Sequence, residues 1–508
     1  MSQPLINQTA NTITTGDKLA SDAEHEKQNV DYESQTRFEE DDSTIEGDPD
    51  LYLQKEVEFE SAHDINYRNC SWQKTAGLLF SEYICLAILS FPWSFSVLGV
   101  GLGLIVTLIV ALLVLYTGLI VADYCAAYPH LTNVCDIGQH LFWGKRWVWH
   151  LTAICFVLNN LLIQSLHVLV GAKYLNTISD NTTVCSVVFG VVASVICFFV
   201  SLPRTFSHMS IIGIFSAVTM FIAVVLAMVF AGIEKHPFDW DKEELPIVWT
   251  AWPIKGTTYV NIMSAVLNIV YTFVGQVTYP SFISQMKNPK DFKKALWAVT
   301  LLEIALFSLA GVIVYIYVGN NYITSPGFGS LSLTYKKISF SFAVPTIIFL
   351  GALYSNVSAQ FIFQNIFSKT SIHRNSHTSK GWIVWGGINL ILWILAFVVA
   401  EVIPFFSDLL SLMSSLFDCS FGFFFWSRAY FKLKELYYFK LENRKLSVWE
   451  IFQRSTLVTK GEIILNLIIA LIGFYILGPG LYATIQSIIL SYEADAYGKP
   501  FTCVSNGI

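Results

Sequence analysis

Charge is scarce in this sequence: 13% of its 508 residues are Asp, Glu, Lys or Arg, where soluble domains carry about 25%. With 54% hydrophobic residues, so thinly charged a chain cannot coat the roughly three separate cores its length would give a soluble protein. A soluble enzyme and a nucleic-acid binder are excluded on this ground. Among nine cysteines no C-x-x-C pair occurs, so a zinc ribbon, a thioredoxin-type site and a secreted disulfide framework are unsupported. Cys85, Cys155, Cys197 and Cys419 fall inside apolar runs, and Cys70, Cys125 and Cys135 beside them, as small buried hydrophobes would. Cys185 and Cys503 are the two that could face a common exterior and bridge. A P-loop is missing, which argues against a pump with its own nucleotide domain. His373 and His377 have i, i+4 spacing without a third ligand, so no metal is expected. Gly99, Gly101 and Gly103 lack the strand context of a dinucleotide site and suit helix packing.

Long apolar runs are what the chain has in abundance. They fall near 75–98, 100–123, 148–172, 184–203, 209–233, 260–283, 296–319, 338–366, 382–406, 408–427 and 462–490. Each approaches the roughly 20 residues that cross a bilayer as a helix, and in lipid a helix is the form that satisfies its own backbone. The expected fold is therefore an all-α polytopic membrane protein with about eleven transmembrane helices. Lys and Arg set its orientation. With the N-terminus inside, interior loops hold 18 basic residues and exterior loops 6, which places the N-terminus in the cytosol and the C-terminus outside. The sequon at Asn181 then lies outside, and those at Asn7 and Asn69 inside, where they are inert. The stretch from His130 to Trp147 is amphipathic and reads as an interfacial helix.

The charge is also split along the chain. Residues 1–74 hold 17 acids against 6 bases, a polar composition that buries no core. The expected division is an acidic, disordered cytosolic tail (1–72), a transmembrane domain (73–490) and an extracellular tail (491–508). No basic region followed by a short apolar run opens the chain, so the first membrane helix is expected to serve as its targeting signal.

Two runs cannot be regular helices. Run one carries Pro92 in its interior, and run six carries Gly275, Gln276 and Pro280. Proline removes a backbone hydrogen bond and clashes with the preceding turn, and broken backbone at membrane depth is tolerated where it lines a cavity or is buried in protein. Runs one and six are the first members of two sets of five. Interrupted helices at corresponding positions of two halves point to a transporter's binding site. Free N–H ends can hold a carboxylate and free C=O ends an ammonium group, so a zwitterionic amino acid suits the pair.

The segments EYICLAILSFP (82–92), FVGQ (273–276) and SQMKNPKDFKKAL (284–296) resemble the amino acid/auxin permease family, and within it the fungal neutral amino-acid permeases of the methyltryptophan-resistance type. The resemblance runs over about 70–490. It implies a LeuT-type five-plus-five inverted repeat with one added helix, and proton- or cation-coupled symport. Three positions depart from the family pattern: Ala87 replaces a usual Gly, Gln276 a common His, and Gln360 a Lys that fungal relatives tend to carry. The expected substrate contacts are Ala87, Ile88, Leu89 and Ser90 in run one, Phe273, Val274, Gly275 and Gln276 in run six, and Gln164 in run three. Pro92 and Pro280 mark the helix breaks.

An ionisable group at membrane depth is costly and points to function. Glu82 is the first candidate for the proton, with Glu303 in run seven and Asp418 in run ten next. Asn356 and Ser358 in run eight occupy the LeuT-like place for cation ligands, by resemblance. Asp123 reads as interfacial and His167 as a hydrogen-bonded packing residue. Asn160 and Gln164 share one face of run three. The expected activity is import of neutral amino acids, aromatic ones included, by proton symport at the plasma membrane. No cofactor is expected beyond the coupling proton or sodium, and the partners are the amino acid and the lipid bilayer, not nucleic acid. No residue pattern sets an oligomeric state. A vacuolar exporter of the same fold and an amino-acid-sensing receptor are the rivals.

Overall fold

The computed structural model describes residues 53–54, 68 and 70–503, less 181–183, 205, 235, 239, 241–244, 368–370, 445 and 495–499. Most of the acidic tail, the end of the C-terminal tail and the sequons at Asn7, Asn69 and Asn181 lie outside the described residues. Among the described residues the protein is helical, with one isolated β-bridge and no strand.

Run one is three pieces: α1 (Trp72–Tyr83), a 3-10 turn (Leu86–Ser90) and α2 (Phe91–Leu98). Then follow α3 (Val100–Ala127), α4 (Val134–Leu141), α5 (Arg146–Ser179), α6 (Ser186–Ser201) and α7 (Phe206–Ile233). Run six is two pieces, α8 (Tyr259–Phe273) and α9 (Tyr279–Ser284). After these come α10 (Phe292–Val318), α11 (Leu333–Ile366) and α12 (Ser379–Val402). Run ten is α13 (Phe406–Met413), a π-helical stretch (Ser414–Phe424) and α14 (Phe425–Glu442). The chain closes with α15 (Val448–Arg454), α16 (Leu457–Tyr475), a π turn (Ile476–Gly480) and α17 (Leu481–Glu493).

Nine helices among the described residues are long and apolar enough to cross a membrane, with α6 (16 residues) and α8 (15 residues) as shorter apolar helices. We call the end of the bundle where α1 starts proximal and the opposite end distal. Contacts fix the ends of other helices. Lys293 at the start of α10 pairs with Asp123 near the end of α3 at 2.5 Å, both proximal. Lys337 at the start of α11 pairs with Asp180 beyond α5, both distal. Cys185 and Cys503 form a disulfide that ties the start of α6 to the chain beyond α17 on the distal side, the bridge the sequence left open. The other described cysteines are free thiols.

Local chemistry explains the boundaries. Ser71, Asn133, Thr258 and Thr456 accept backbone N–H bonds at the starts of α1, α4, α8 and α16, which satisfies donors that a helix start leaves orphaned. At α15 a capping box joins Ser447 and Glu450. The Ser447 backbone and hydroxyl hold the Glu450 carboxyl below the usual carboxylate range. The expected interfacial helix is α4, which turns Val134, Ile137 and Leu141 inward against α5. Gly99 turns the chain from α2 to α3 with φ +77°, and a Cβ there would stand 2.5 Å from the Trp252 nitrogen. No other residue type fits that approach.

Proline placement corrects the expected breaks. Pro92 and Pro280 do not interrupt helices. Each lies in the first turn of the second piece, α2 or α9, where a missing N–H costs nothing. The unwound residues are 84–85 in run one, and 274–278, just ahead of the second helical piece, in run six. Pro345, by contrast, sits inside α11, which continues through it.

Candidate functional site

In run one the last helical N–H, that of Ile84, reaches the Phe80 carbonyl at 2.9 Å. Cys85 is then fully extended (φ −103°, ψ −179°). Ala87, Ile88, Leu89 and Ser90 are buried in the 3-10 turn, and the Ser90 hydroxyl is spent on the Ala87 carbonyl at 2.7 Å. In run six Val274 leaves α8 in an extended conformation, and the chain re-enters a helix at Tyr279. α8 packs on both α2 and the 3-10 turn, so the two interruptions lie side by side. Cys85, Tyr271 and Val274 remain half-buried among otherwise buried neighbours.

Three contacts stitch the interruptions together. The Tyr83 and Tyr279 hydroxyls hydrogen-bond each other across the gap. Tyr83 lies flat over Gly275, where a Cβ would fall 2.5 Å from its hydroxyl oxygen. The Glu82 carboxylate group meets the Thr278 hydroxyl at 3.0 and 3.1 Å and accepts from Tyr354 of α11 at 2.6 Å. Glu82 therefore joins run one, run six and run eight at one point.

The distal side of the gap is apolar. Phe91, Phe273 and Phe307 form a buried triangle with ring centroids 5.2 to 6.3 Å apart. The loop before α11 adds Gly327, whose Cβ position is 3.1 Å from Pro92, and Phe328 stacks edge-on against Phe340. Phe273 thus belongs to a hydrophobic plug on that side.

Several expected contacts sit elsewhere. Gln276 turns its amide to α3, donating to the Thr117 hydroxyl at 2.9 Å and the Val114 carbonyl at 3.3 Å, while its oxygen accepts from the Gly275 N–H at 3.1 Å. Its polar atoms hold the unwound chain against α3. Asn356 and Ser358 are not brought together. Asn356 donates to the Ser201 carbonyl at 3.2 Å and to the Pro203 carbonyl, at the end of α6, whereas Ser358 accepts from Asn160 of α5 at 3.0 Å. Positions two apart in a helix face away from each other, which is the physical reason. His167 bonds the Ile347 carbonyl at 2.9 Å.

Unmatched polar atoms remain in the interior. Glu303 Oε1, Asp418 Oδ2, Gln164 Oε1 and Asn160 Oδ1 are buried without a hydrogen-bond partner among the described residues. Glu303 is within electrostatic range of Glu82, Tyr83 and Tyr279, and Asp418 of Tyr271. Asp418 lies in the π-helical stretch, a form that often marks functional sites. Buried polar atoms left open in this way need an occupant, a proton or a water. Thr278, Tyr83, Tyr279 and Tyr354 were not expected from the sequence. The available signals were the hydroxyls beside each break and the polar triplet Tyr354-Ser355-Asn356 within an apolar run.

The transmembrane amino acid transporter protein family model matches residues 68–472. The chain is 31% identical to the "N amino acid transport system protein" of Neurospora crassa, covering 89% of this chain and 92% of that one. It is 27% identical to a "Transmembrane transporter" of Gibberella moniliformis, covering 89% and 91%. Among solved structures it is similar to Mhp1, a nucleobase-cation-symport-1 family transporter in a closed conformation with bromovinylhydantoin bound, at TM-score 0.47 and 14% identity, covering 86% and 95%. A family match along most of the length, together with a relative of 31% identity, means that the chain belongs to the transmembrane amino acid transporter family.

Proposed function

We propose that the protein imports neutral amino acids with a proton, by alternating access around the paired interruptions of runs one and six. The observation that carries this reading is the direct contact between the two gaps, Tyr83 over Gly275 and Glu82 on Thr278. Half-helix ends there offer N–H groups to a carboxylate and carbonyls to an ammonium. The surrounding side chains Ala87, Ile88, Leu89 and Val274 are apolar, which favours an uncharged substrate side chain. Glu82 takes the coupling proton, with Glu303 and Asp418 as further acids. α6 and the α8–α9 pair count as crossings, giving eleven in two sets of five plus one. The proximal face, which carries the excess of Lys and Arg, is cytosolic, and the plasma membrane is the site of action.

The test is uptake of a radiolabelled amino-acid panel at two pH values in cells lacking their own permeases. Uptake of neutral amino acids rises at low external pH and is abolished by an uncoupler. Glu82→Gln reaches the surface but loses proton-driven uptake. Unchanged proton-driven uptake in that variant removes Glu82 from the mechanism. Fluorescent tagging separates the plasma membrane from the vacuolar rival.

A further inference from the structure

The hydrogens around Glu82 can be counted. Three oxygens lie within reach of the single Thr278 hydroxyl proton: Glu82 Oε1 at 3.0 Å, Glu82 Oε2 at 3.1 Å and the Gly275 carbonyl at 2.8 Å. Tyr354 gives its own proton to Glu82 Oε1 at 2.6 Å. If Glu82 is ionised, the Thr278 hydroxyl proton goes to the carboxylate, and the Gly275 carbonyl is left with the Thr278 N–H alone. Among the described residues no Lys, Arg or His pairs with the buried charge. If Glu82 is protonated, every donor has one acceptor: Tyr354 O–H to Oε1, Glu82 Oε2–H to Thr278 Oγ1, and Thr278 O–H to the Gly275 carbonyl. A buried ion without a partner is far costlier than a neutral acid whose bonds are all made.

We infer that Thr278 is a positioning residue in a hydrogen-bond chain, Glu82 to Thr278 to Gly275, that is complete when Glu82 carries its proton. Loading of the carboxyl is thereby felt at the Gly275 carbonyl, in the unwound backbone of run six. On losing the proton, Glu82 draws the Thr278 hydroxyl to itself, and the Gly275 carbonyl gives up that bond. It keeps the one from the Thr278 N–H at 3.1 Å. This inference rests on the assignment of Glu82 to the coupling proton.

The titratable groups around Glu82 come from every side of the junction. Tyr83 and Cys85 lie on its own segment, Tyr271 on α8, Tyr279 on α9, Glu303 on α10 and Tyr354 on α11. The described side chains of α7, 212–233, carry none. Glu303 is the other acid beside the junction.

Two measurements on the full-length protein test the chain. Infrared difference spectra of the purified protein at neutral pH, wild type minus Glu82→Gln, are expected to show the carbonyl band of a neutral carboxylic acid. A carboxylate band in its place overturns the inference, whatever Glu82 does in transport. The pH profile of uptake, corrected for surface expression, is then compared in Thr278→Val and Thr278→Ser. Valine removes a neutral bond from the protonated acid and a stronger, charge-assisted one from the carboxylate, so its profile shifts toward alkali by about one pH unit, equivalent to tenfold fewer protons. Serine restores the wild-type profile. A valine profile that coincides with wild type or moves toward acid, or a serine variant that behaves like valine, contradicts the proposed role of Thr278. Loss of proton coupling in neither Glu82→Gln nor Thr278→Val, alongside a neutral-acid band, condemns the transport assignment and leaves the hydrogen count standing.

Discussion

Gly275 shows how much one missing methyl group settles. Its Cβ position is 2.5 Å from the Tyr83 hydroxyl oxygen and 2.8 Å from the ring carbon that bears it. Rotating a hydroxyl cannot relieve the second contact. Gly275→Ala therefore forces the two gaps apart, at about 1 to 3 kcal/mol by analogy with overpacked cores. We expect the purified variant to melt lower and its uptake to fall several-fold; wild-type melting and uptake would mean that the Tyr83 ring does not lie over Gly275. At this scale the sequence was legible where a residue type is rare in its surroundings. Glu82 in an apolar run stood out, and the structure gives it three hydrogen-bond contacts. Gln276 stood out equally and turned away, because a side-chain amide beside unwound backbone can satisfy that backbone as readily as it can meet a ligand. Thr278 and the tyrosines were silent, since a lone hydroxyl in a span usually bonds its own helix.

Between elements, α1 and α9 are fastened at both ends. At the gap they share the Tyr83–Tyr279 hydroxyl pair and the Glu82–Thr278 bond. At the proximal end, Cys70 ahead of α1 forms a parallel bridge with Met286 after α9. The Cys70 N–H donates to the Gln285 carbonyl at 3.0 Å and the Lys287 N–H to the Cys70 carbonyl at 2.9 Å. Bridged residues of neighbouring strands lie about 5 Å apart, within disulfide reach. Met286→Cys is thus expected to cross-link to the native Cys70 under mild oxidation in membranes. Peptide mapping checks this, and absence of the cross-link argues against the bridge. Helices were the readable part of the sequence because lipid leaves an apolar segment little choice. The exact place of each break was less readable: a proline signals that something must change nearby, and the pattern cannot say that the unwound residues precede it and that it opens the next helix. The bridge to Cys70 had no sequence signal, as it joins positions more than 200 apart through backbone atoms alone.

For the whole molecule, the two faces of the bundle differ in chemistry. The gap is closed on the distal side by phenylalanines and on the proximal side by hydroxyls and a carboxyl. In the symport proposed above, apolar packing on one side and the Glu82 junction on the other would be two closures that respond to different events. In the orientation proposed above, the Cys185–Cys503 disulfide on the distal side would face the oxidising exterior. The disulfide was only an open option in the sequence, because spacing cannot pair cysteines 318 residues apart.

A neutral amino acid is proposed to bind where runs one and six unwind, and Cys85 is a native, half-buried thiol within that gap. The most direct measurement is the rate of maleimide modification of Cys85 in membranes, followed by peptide-resolved mass spectrometry so that the other thiols are separately counted. Neutral amino acids that are transported should slow modification of Cys85 and leave Cys70 unaffected, and modified protein should no longer take up substrate. A Cys85 rate that no transported amino acid changes, with uptake intact after full modification, would place the substrate elsewhere.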